Sequence, residues 1–388
     1  MSAAAPRGAA SGQPSGDESA GALDRLFRPF PYGRQQLRNR VVMAPMTRGG
    51  CPGGVPGADV VDYYRRRAAG SVGLIVTEGT YIDHPAANGY VDVPAFFGAA
   101  LAGWRKVVEA VHAEGALIAP QLWHVGSVRR PPMQPVAGVP GMGPDEIREN
   151  GQVVVARMTP DDIRAVTASY ARAARAAREL GCDGVEIHAA HGYLLDEFIW
   201  TAANHRTDEY GGPLANRSRF AVEVVQAVRA AVGADFPIQF RWSQWKMSDY
   251  GVRIADSPAE LQALLGPLAA AGVDLFHVST RRFWEPAFAG SDETLAACTR
   301  RMTGKPVIAV GSVGMAAQHE SGKLEWRKDR GSAIAHLDRL EAALAADAFD
   351  LLAVGRGLLA NPDWADKVRA GALDQLLPLT EAHLQTRW

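Results

Sequence analysis

Short runs of β-branched and other apolar residues alternate along this chain with longer stretches whose apolar positions recur every three or four residues. The rhythm begins near Leu37 and repeats eight times. Arg40–Ala44, Leu74–Glu78, Leu117–Leu122, Gly184–His188, Ile238–Arg241, Leu275–Val278, Val307–Val310 and Leu351–Val354 read as strands. Trp104–Glu114, Asp162–Leu180, Arg217–Val232, Pro258–Ala271 and Leu337–Ala346 read as helices, rich in Ala, Leu and Arg. Thr159-Pro160-Asp161-Asp162 supplies an N-cap and a first-turn proline for one of them.

Strands that alternate with helices pair in parallel, because each connection must cross over a helix. Eight such units close into a (β/α)8 TIM barrel. The competing open sheet would place G-x-G-x-x-G after its first strand. Here the first strand runs into Ala44-Pro45-Met46-Thr47, and neither that fingerprint nor a P-loop is present. Two connections exceed a minimal barrel. Val125 to Met158, after the third strand, predicts a hairpin or flap over the barrel mouth; Ser312 to Ser332 predicts a charged excursion. Residues 1–21 are Ala-, Gly-, Pro- and Ser-rich without the apolar centre of a secretory signal, which predicts a disordered tail and a single barrel domain over 22–388.

Composition adds exclusions. With 47% hydrophobic and 21% charged residues, the 388-residue chain can bury a full core. A net charge of −1 gives no field that would recruit nucleic acid or an anionic membrane. No run approaches the ~18 apolar residues of a membrane span. Cys51, Cys182 and Cys298 are scattered and form no CxxC pair, which argues against a disulfide framework or a metal cluster and points to the cytoplasm.

Barrel active sites lie at the C-terminal strand ends. The residues predicted there are Thr47, Glu78-Gly79, Gln121-Leu122-Trp123, His188, Arg241, Gly311-Ser312 and Gly355-Arg356. His188, His191 and Tyr193 stand out among them. A turn at Gly192 brings two imidazoles and a phenol into the mouth. The imidazoles can donate N–H bonds to one oxygen, and the phenol can give up a proton. This suits a reaction in which charge builds on a carbonyl or nitro oxygen while a carbon receives hydride. The plain alternative, a satisfied strand-end histidine and a core tyrosine, fits any one of them better than all three. A metal site is disfavoured, since H-E-x-x-H is absent and Glu186, two before His188, should face the same way but deeper.

The run His188-Ala-Ala-His191-Gly-Tyr193-Leu-Leu-Asp-Glu-Phe, continued by Asn204-His-Arg-Thr-Asp-Glu-Tyr-Gly-Gly and Asn216-Arg-Ser-Arg-Phe220, resembles the Old Yellow Enzyme family of FMN ene-reductases. Asn39 to Arg48, Thr77-Glu-Gly-Thr80, Gln121-Leu-Trp123 and Val354-Gly-Arg356…Asn361-Pro-Asp363 match further motifs in order, and the likeness spans about Leu23 to Ala370. The resemblance implies noncovalent FMN across the barrel mouth. Ala44, Pro45, Met46 and Thr47 would line the ring, with the Thr47 hydroxyl near the C4 carbonyl, and Gly79 would pass close to it. Gln121 would bond the pyrimidine edge, Arg241 would face N1 and the C2 carbonyl beside His188, and Gly311, Ser312, Gly355 and Arg356 would hold the phosphate. NAD(P)H would reduce the flavin. His188, His191 and Trp123 would bind a small electrophilic alkene, and Tyr193 would protonate it.

Ser127 departs from the Arg common in the family after Gln-Leu-Trp-His-Val-Gly, which unsettles the expected flap contacts. The loop Thr280-Arg-Arg-Phe-Trp-Glu-Pro286 is read three ways: a pocket border, a grip on a nicotinamide phosphate, or packing. A flavin dehydrogenase, demethylase or nitroester reductase of the same superfamily and a non-catalytic ligand-binding barrel are the alternatives in function. Either a monomer or a homodimer is compatible with the sequence.

Overall fold

The structure is a computed structural model and describes residues 21–314 and 336–386. Eight parallel strands close a barrel: β1 (Val41–Met43), β2 (Leu74–Tyr81), β3 (Leu117–Trp123), β4 (Val185–His191), β5 (Ile238–Lys246), β6 (Leu275–Ser279), β7 (Val307–Val310) and β8 (Leu351–Val354). Each pairs with its neighbours in sequence, and β8 closes against β1. All eight predicted strands are present. Five of them run further toward the mouth than their apolar runs suggest, because residues beyond those runs still pair within the barrel wall. β4 thus ends at His191 rather than at His188, with Lys246 of β5 opposite His191 after a register shift.

Helices cover the outside, among them α1 (Ala58–Ala69), α2 (Ala100–Ala113), α3 (Pro160–Leu180), α4 (Arg219–Val232), α5 (Pro258–Ala271), α6 (Leu295–Thr303) and α7 (Leu337–Ala345). The predicted start of α3 is a complete capping box: Thr159 Oγ1 accepts from the Asp162 N–H at 3.2 Å, and Asp162 Oδ2 accepts from the Thr159 N–H at 2.8 Å. The stretch read as one helix from Arg217 is two, Leu214–Arg217 and then α4. No helix among the described residues is long and apolar enough to cross a membrane.

The barrel interior is apolar at its base and polar at its mouth. Val42, Leu74, Val76, Ala119, Leu275, Ile308 and Leu351 fill the base. A hairpin of Phe30–Tyr32 and Gln35–Leu37 plugs that end, with Tyr32 Oη accepting from Gln239 Nε2 at 2.6 Å. At the other end, the connection after β3 forms the expected flap. Three short strands, Gly141–Gly143, Ile147–Glu149 and Gln152–Arg157, make a sheet with the last in the centre. Buried Arg129 ties the loop before it down, donating to the carbonyls of Val139 and Met133 at 3.1 Å each. The predicted tail and most of the charged excursion after Ser312 lie outside the described residues.

Candidate active site

Residues two apart on a strand share a face. Glu186 and His188 therefore share one on β4, as do Gln239, Arg241 and Ser243 on β5, and Leu275, His277 and Ser279 on β6. Register sets Arg241 beside both His277 and His188, and Gln121 beside Glu186. A buried chain of hydrogen bonds results. Gln121 Nε2 donates to Glu186 Oε1 at 2.7 Å, His277 Nδ1 lies 2.6 Å from Glu186 Oε2, and Arg241 Nη1 lies 2.9 Å from His277 Nε2. Burial pushes the Glu186 carboxyl up, but His277, Arg241 and Gln121 outweigh it and hold the group below its usual range. Burial also lowers His277, against the pull of Glu186. A neutral His277 thus donates from Nδ1 to the carboxylate and accepts Arg241 at Nε2. Arg241 delivers positive charge to the mouth, and its buried Nε has no hydrogen-bond partner among the described residues.

Three polar anchors fix the loop that ends β4. His191 and Gly192 both adopt left-handed backbone, φ 68° and 83°. The His191 N–H donates to Ser243 Oγ at 3.0 Å and the Gly192 N–H to Asp196 Oδ2 at 2.6 Å. Asp196 is in turn held by Lys246 Nζ at 2.7 Å, both side chains being fully buried. Burial raises the Asp196 carboxyl and lowers the Lys246 amine, each opposed by the other's charge.

The three predicted catalytic residues are brought together by that loop. The His188 ring lies 5.2 Å from His191 and 5.1 Å from Tyr193, and Trp123 meets Tyr193 edge-on at 4.9 Å. His188 Nδ1 accepts the Ala190 N–H at 3.3 Å, which assigns the proton of the neutral ring to Nε2. His191 Nε2 is instead 2.8 Å from Ser279 Oγ, so the two imidazoles are not equivalent donors. Burial, then neighbouring positive charge, holds both well below the usual histidine range. Burial and Tyr90 hold the Tyr193 phenol well above its usual value, and the Tyr90 and Tyr193 hydroxyls are 3.1 Å apart.

A cavity of about 440 Å³ opens beside this cluster. Ala44, Pro45, Met46, His191 and Arg241 line it on one side, and Gly311, Ser312, Gly355 and Arg356 on another. Size and lining fit a flavin nucleotide: an apolar edge, an arginine whose Nε is unsatisfied, and backbone exposed where a side chain is excluded. A Cβ at Gly311 (φ 145°) would lie 2.6 Å from the Thr280 carbonyl oxygen. The remaining predicted residues are not part of this lining. Thr47 is exposed on the loop after β1. Gln121 is buried on Glu186. His188, Tyr193 and Trp123 form the adjacent aromatic cluster. Gly79 has a reason independent of any cofactor, since a Cβ there would lie 2.4 Å from Trp123 Cε3.

Sequence reasoning missed several functional neighbours. His277 and Ser279 had a signal, being polar residues two apart in an apolar strand. Tyr90 had none, because a long connection carries it to the site, and Trp245 had none, because it lies on the part of β5 beyond the apolar run. The 280–286 loop both borders the cavity, through Thr280, Arg281, Arg282 and Glu285, and packs, through buried Phe283. The departure at Ser127 is answered locally. Its N–H donates to Glu197 Oε1 at 3.0 Å and its hydroxyl bonds the same carboxyl, which burial pushes up to about 8.

Comparison with known proteins gives the family of the chain. A family model described as "NADH:flavin oxidoreductase / NADH oxidase family" matches residues 25–375. A chanoclavine-I aldehyde reductase of Penicillium roqueforti is 35% identical over 90% of each chain. A putative 12-oxophytodienoate reductase 2 of Oryza sativa subsp. japonica is 45% identical over 54% of this chain, and the match spans only 57% of the rice protein. The structure of morphinone reductase in complex with tetrahydroNAD superposes with a TM-score of 0.75 at 33% identity, over 92% of this chain and 93% of that one. The chain thus belongs to the NADH:flavin oxidoreductase / NADH oxidase family, the Old Yellow Enzyme family of FMN- and NAD(P)H-using oxidoreductases.

Proposed function

We propose that this protein uses NAD(P)H to reduce the activated C=C bond of an α,β-unsaturated carbonyl or nitro compound. The convergence of His188, His191 and Tyr193 beside the cavity lined by Arg241 carries this reading. FMN, when bound, would supply the hydride-transfer chemistry that links NAD(P)H to the alkene β-carbon. Ala44, Pro45, Met46 and Thr47 would hold its ring, passing close to Gly79. Arg241 and Gln121 would hold its pyrimidine edge, next to His188, and Gly311, Ser312, Gly355 and Arg356 its phosphate.

The substrate's activating oxygen would accept the His188 Nε2–H and a second N–H from His191. Neutral imidazoles suit this, because charge grows on the oxygen only during reaction; such donors are each worth about 3–4 kcal/mol. Trp123 would wall the alkene. As the new C–H bond forms at the α-carbon, the O–H bond of Tyr193 breaks, and half-buried Tyr90 can pass a proton back to it. The raised pKa keeps Tyr193 protonated between turnovers.

Stopped-flow kinetics of Tyr193→Phe tests the assignment. Flavin reduction by NAD(P)H should be nearly unchanged, and reoxidation by a small enone should slow by about 10²-fold or more. An equal loss in both half-reactions would give Tyr193 a structural role instead.

A further inference from the structure

The flavin leaves part of the cavity unassigned. Beyond His191 its wall continues through Trp245, Tyr250, Arg281 and Arg282. Trp245 packs on the His191 ring at 4.4 Å, and its Nε1–H is held by the Ser279 carbonyl at 3.1 Å. The Arg281 guanidinium lies over the Tyr250 ring at 3.8 Å and near Trp245 at 5.7 Å. Cation–π contacts of this kind fix a guanidinium without neutralising it. Arg282 is paired with Glu285 at 2.5 Å, whereas Arg281 has no carboxylate partner among the described residues. The charged residues of the lining are four arginines against that one glutamate. Arg356 and Arg241 are already assigned to the flavin in the proposed function, which leaves Arg281, without a carboxylate partner among the described residues, unassigned.

From this we infer that Arg281, held by Tyr250 and Trp245, is an anion subsite for a carboxylate or phosphate joined to the ring or alkene that lies against His191. The contacts of 4.4 Å and 5.7 Å through Trp245 set the reach, placing the guanidinium carbon within about 10 Å of the His191 ring. A ligand whose polarised oxygen meets the histidines and whose anionic arm spans several bonds would satisfy both ends. The anion can belong to the oxidant or to the nicotinamide dinucleotide. The inference rests on the proposed function only in using His191 as the other end of the ligand.

The test is a spectral titration of the FMN-loaded protein with 3-(4-hydroxyphenyl)propanoate and with its methyl ester, following the long-wavelength charge-transfer band of a phenol over flavin. KM for NADPH and NADH and the FMN Kd are measured alongside, in wild type, Arg281→Gln and Arg281→Lys. A charge-assisted contact predicts that wild type binds the acid about tenfold more tightly than the ester, that Gln abolishes the preference and that Lys keeps part of it. If instead both phenols bind alike while Gln raises KM for the nicotinamides about tenfold, the subsite stands with the dinucleotide as its source. An unchanged phenol preference together with unchanged nicotinamide KM in Arg281→Gln overturns the inference, as does a raised FMN Kd, which would make Arg281 part of the flavin phosphate site. Binding of the ester throughout shows that the His188–His191 reading survives; loss of binding of both phenols by wild type would strike that reading itself.

Discussion

At Glu197 the departure at Ser127 has an energetic consequence. The carboxyl is buried and satisfied by an N–H and a hydroxyl rather than by a guanidinium, so burial dominates and its pKa is about 8 against an ordinary 4.5. A carboxyl raised on folding binds its proton more tightly in the native state. The stability this gives is complete below the unfolded value and is lost as pH rises through the folded one. Glu197→Gln keeps an acceptor for Ser127 and removes the titration. The variant should gain stability over wild type between pH 5 and pH 8, by at least on the order of 1 kcal/mol, in urea unfolding at the two pH values. A constant difference would mean that the carboxyl is ionised throughout. Residue identity could be read from the chain here; that Ser127 bonds the carboxyl while Arg130 acts on it only weakly could not, because it depends on which side chains the flap brings near.

The element that matters most is the end of β4. Its geometry is imposed by a neighbouring strand: Ser243 and Lys246 on β5 hold His191 and, through Asp196, Gly192. Lys246→Met removes the only cation paired with Asp196 among the described residues and leaves a buried carboxylate uncompensated, a loss of about 3–5 kcal/mol. Lys246→Met with Asp196→Asn should recover most of that stability in denaturant unfolding. A single variant as stable as wild type would show that the pair does not anchor the loop. The motif from His188 to Phe198 was legible as a strand end because its residue types are unusual there. That the strand continues to His191 was not, since the continuation is held by a register shift with polar residues of β5.

At the scale of the whole molecule, the barrel separates stability from chemistry. An apolar base plugged by the Phe30–Leu37 hairpin carries packing, and a polar mouth carries Arg241 and its relay to Glu186. Filling the cavity should couple the two, because a ligand that binds only the folded state stabilises it by about 2.7 kcal/mol at one hundred times its Kd. Protein stripped of FMN should therefore melt several degrees lower than protein reconstituted with it, and phosphate-free riboflavin should restore less. Equal melting temperatures in all three would count against the cavity as the flavin site.

The sequence by itself determined the alternation of strand and helix, hence the parallel barrel, since period-2 and period-3.6 patterns are local properties of the chain. It also picked out His188, His191 and Tyr193, whose chemistry is visible in their side chains. Tertiary structure alone decided which nitrogen of His191 meets Ser279, that Gln121 and His277 join one buried relay behind Arg241, that Gly79 yields to Trp123, and that Arg281 has no carboxylate partner among the described residues at the cavity wall. Those outcomes depend on distances between residues far apart in the chain, and only closure of the barrel sets such distances.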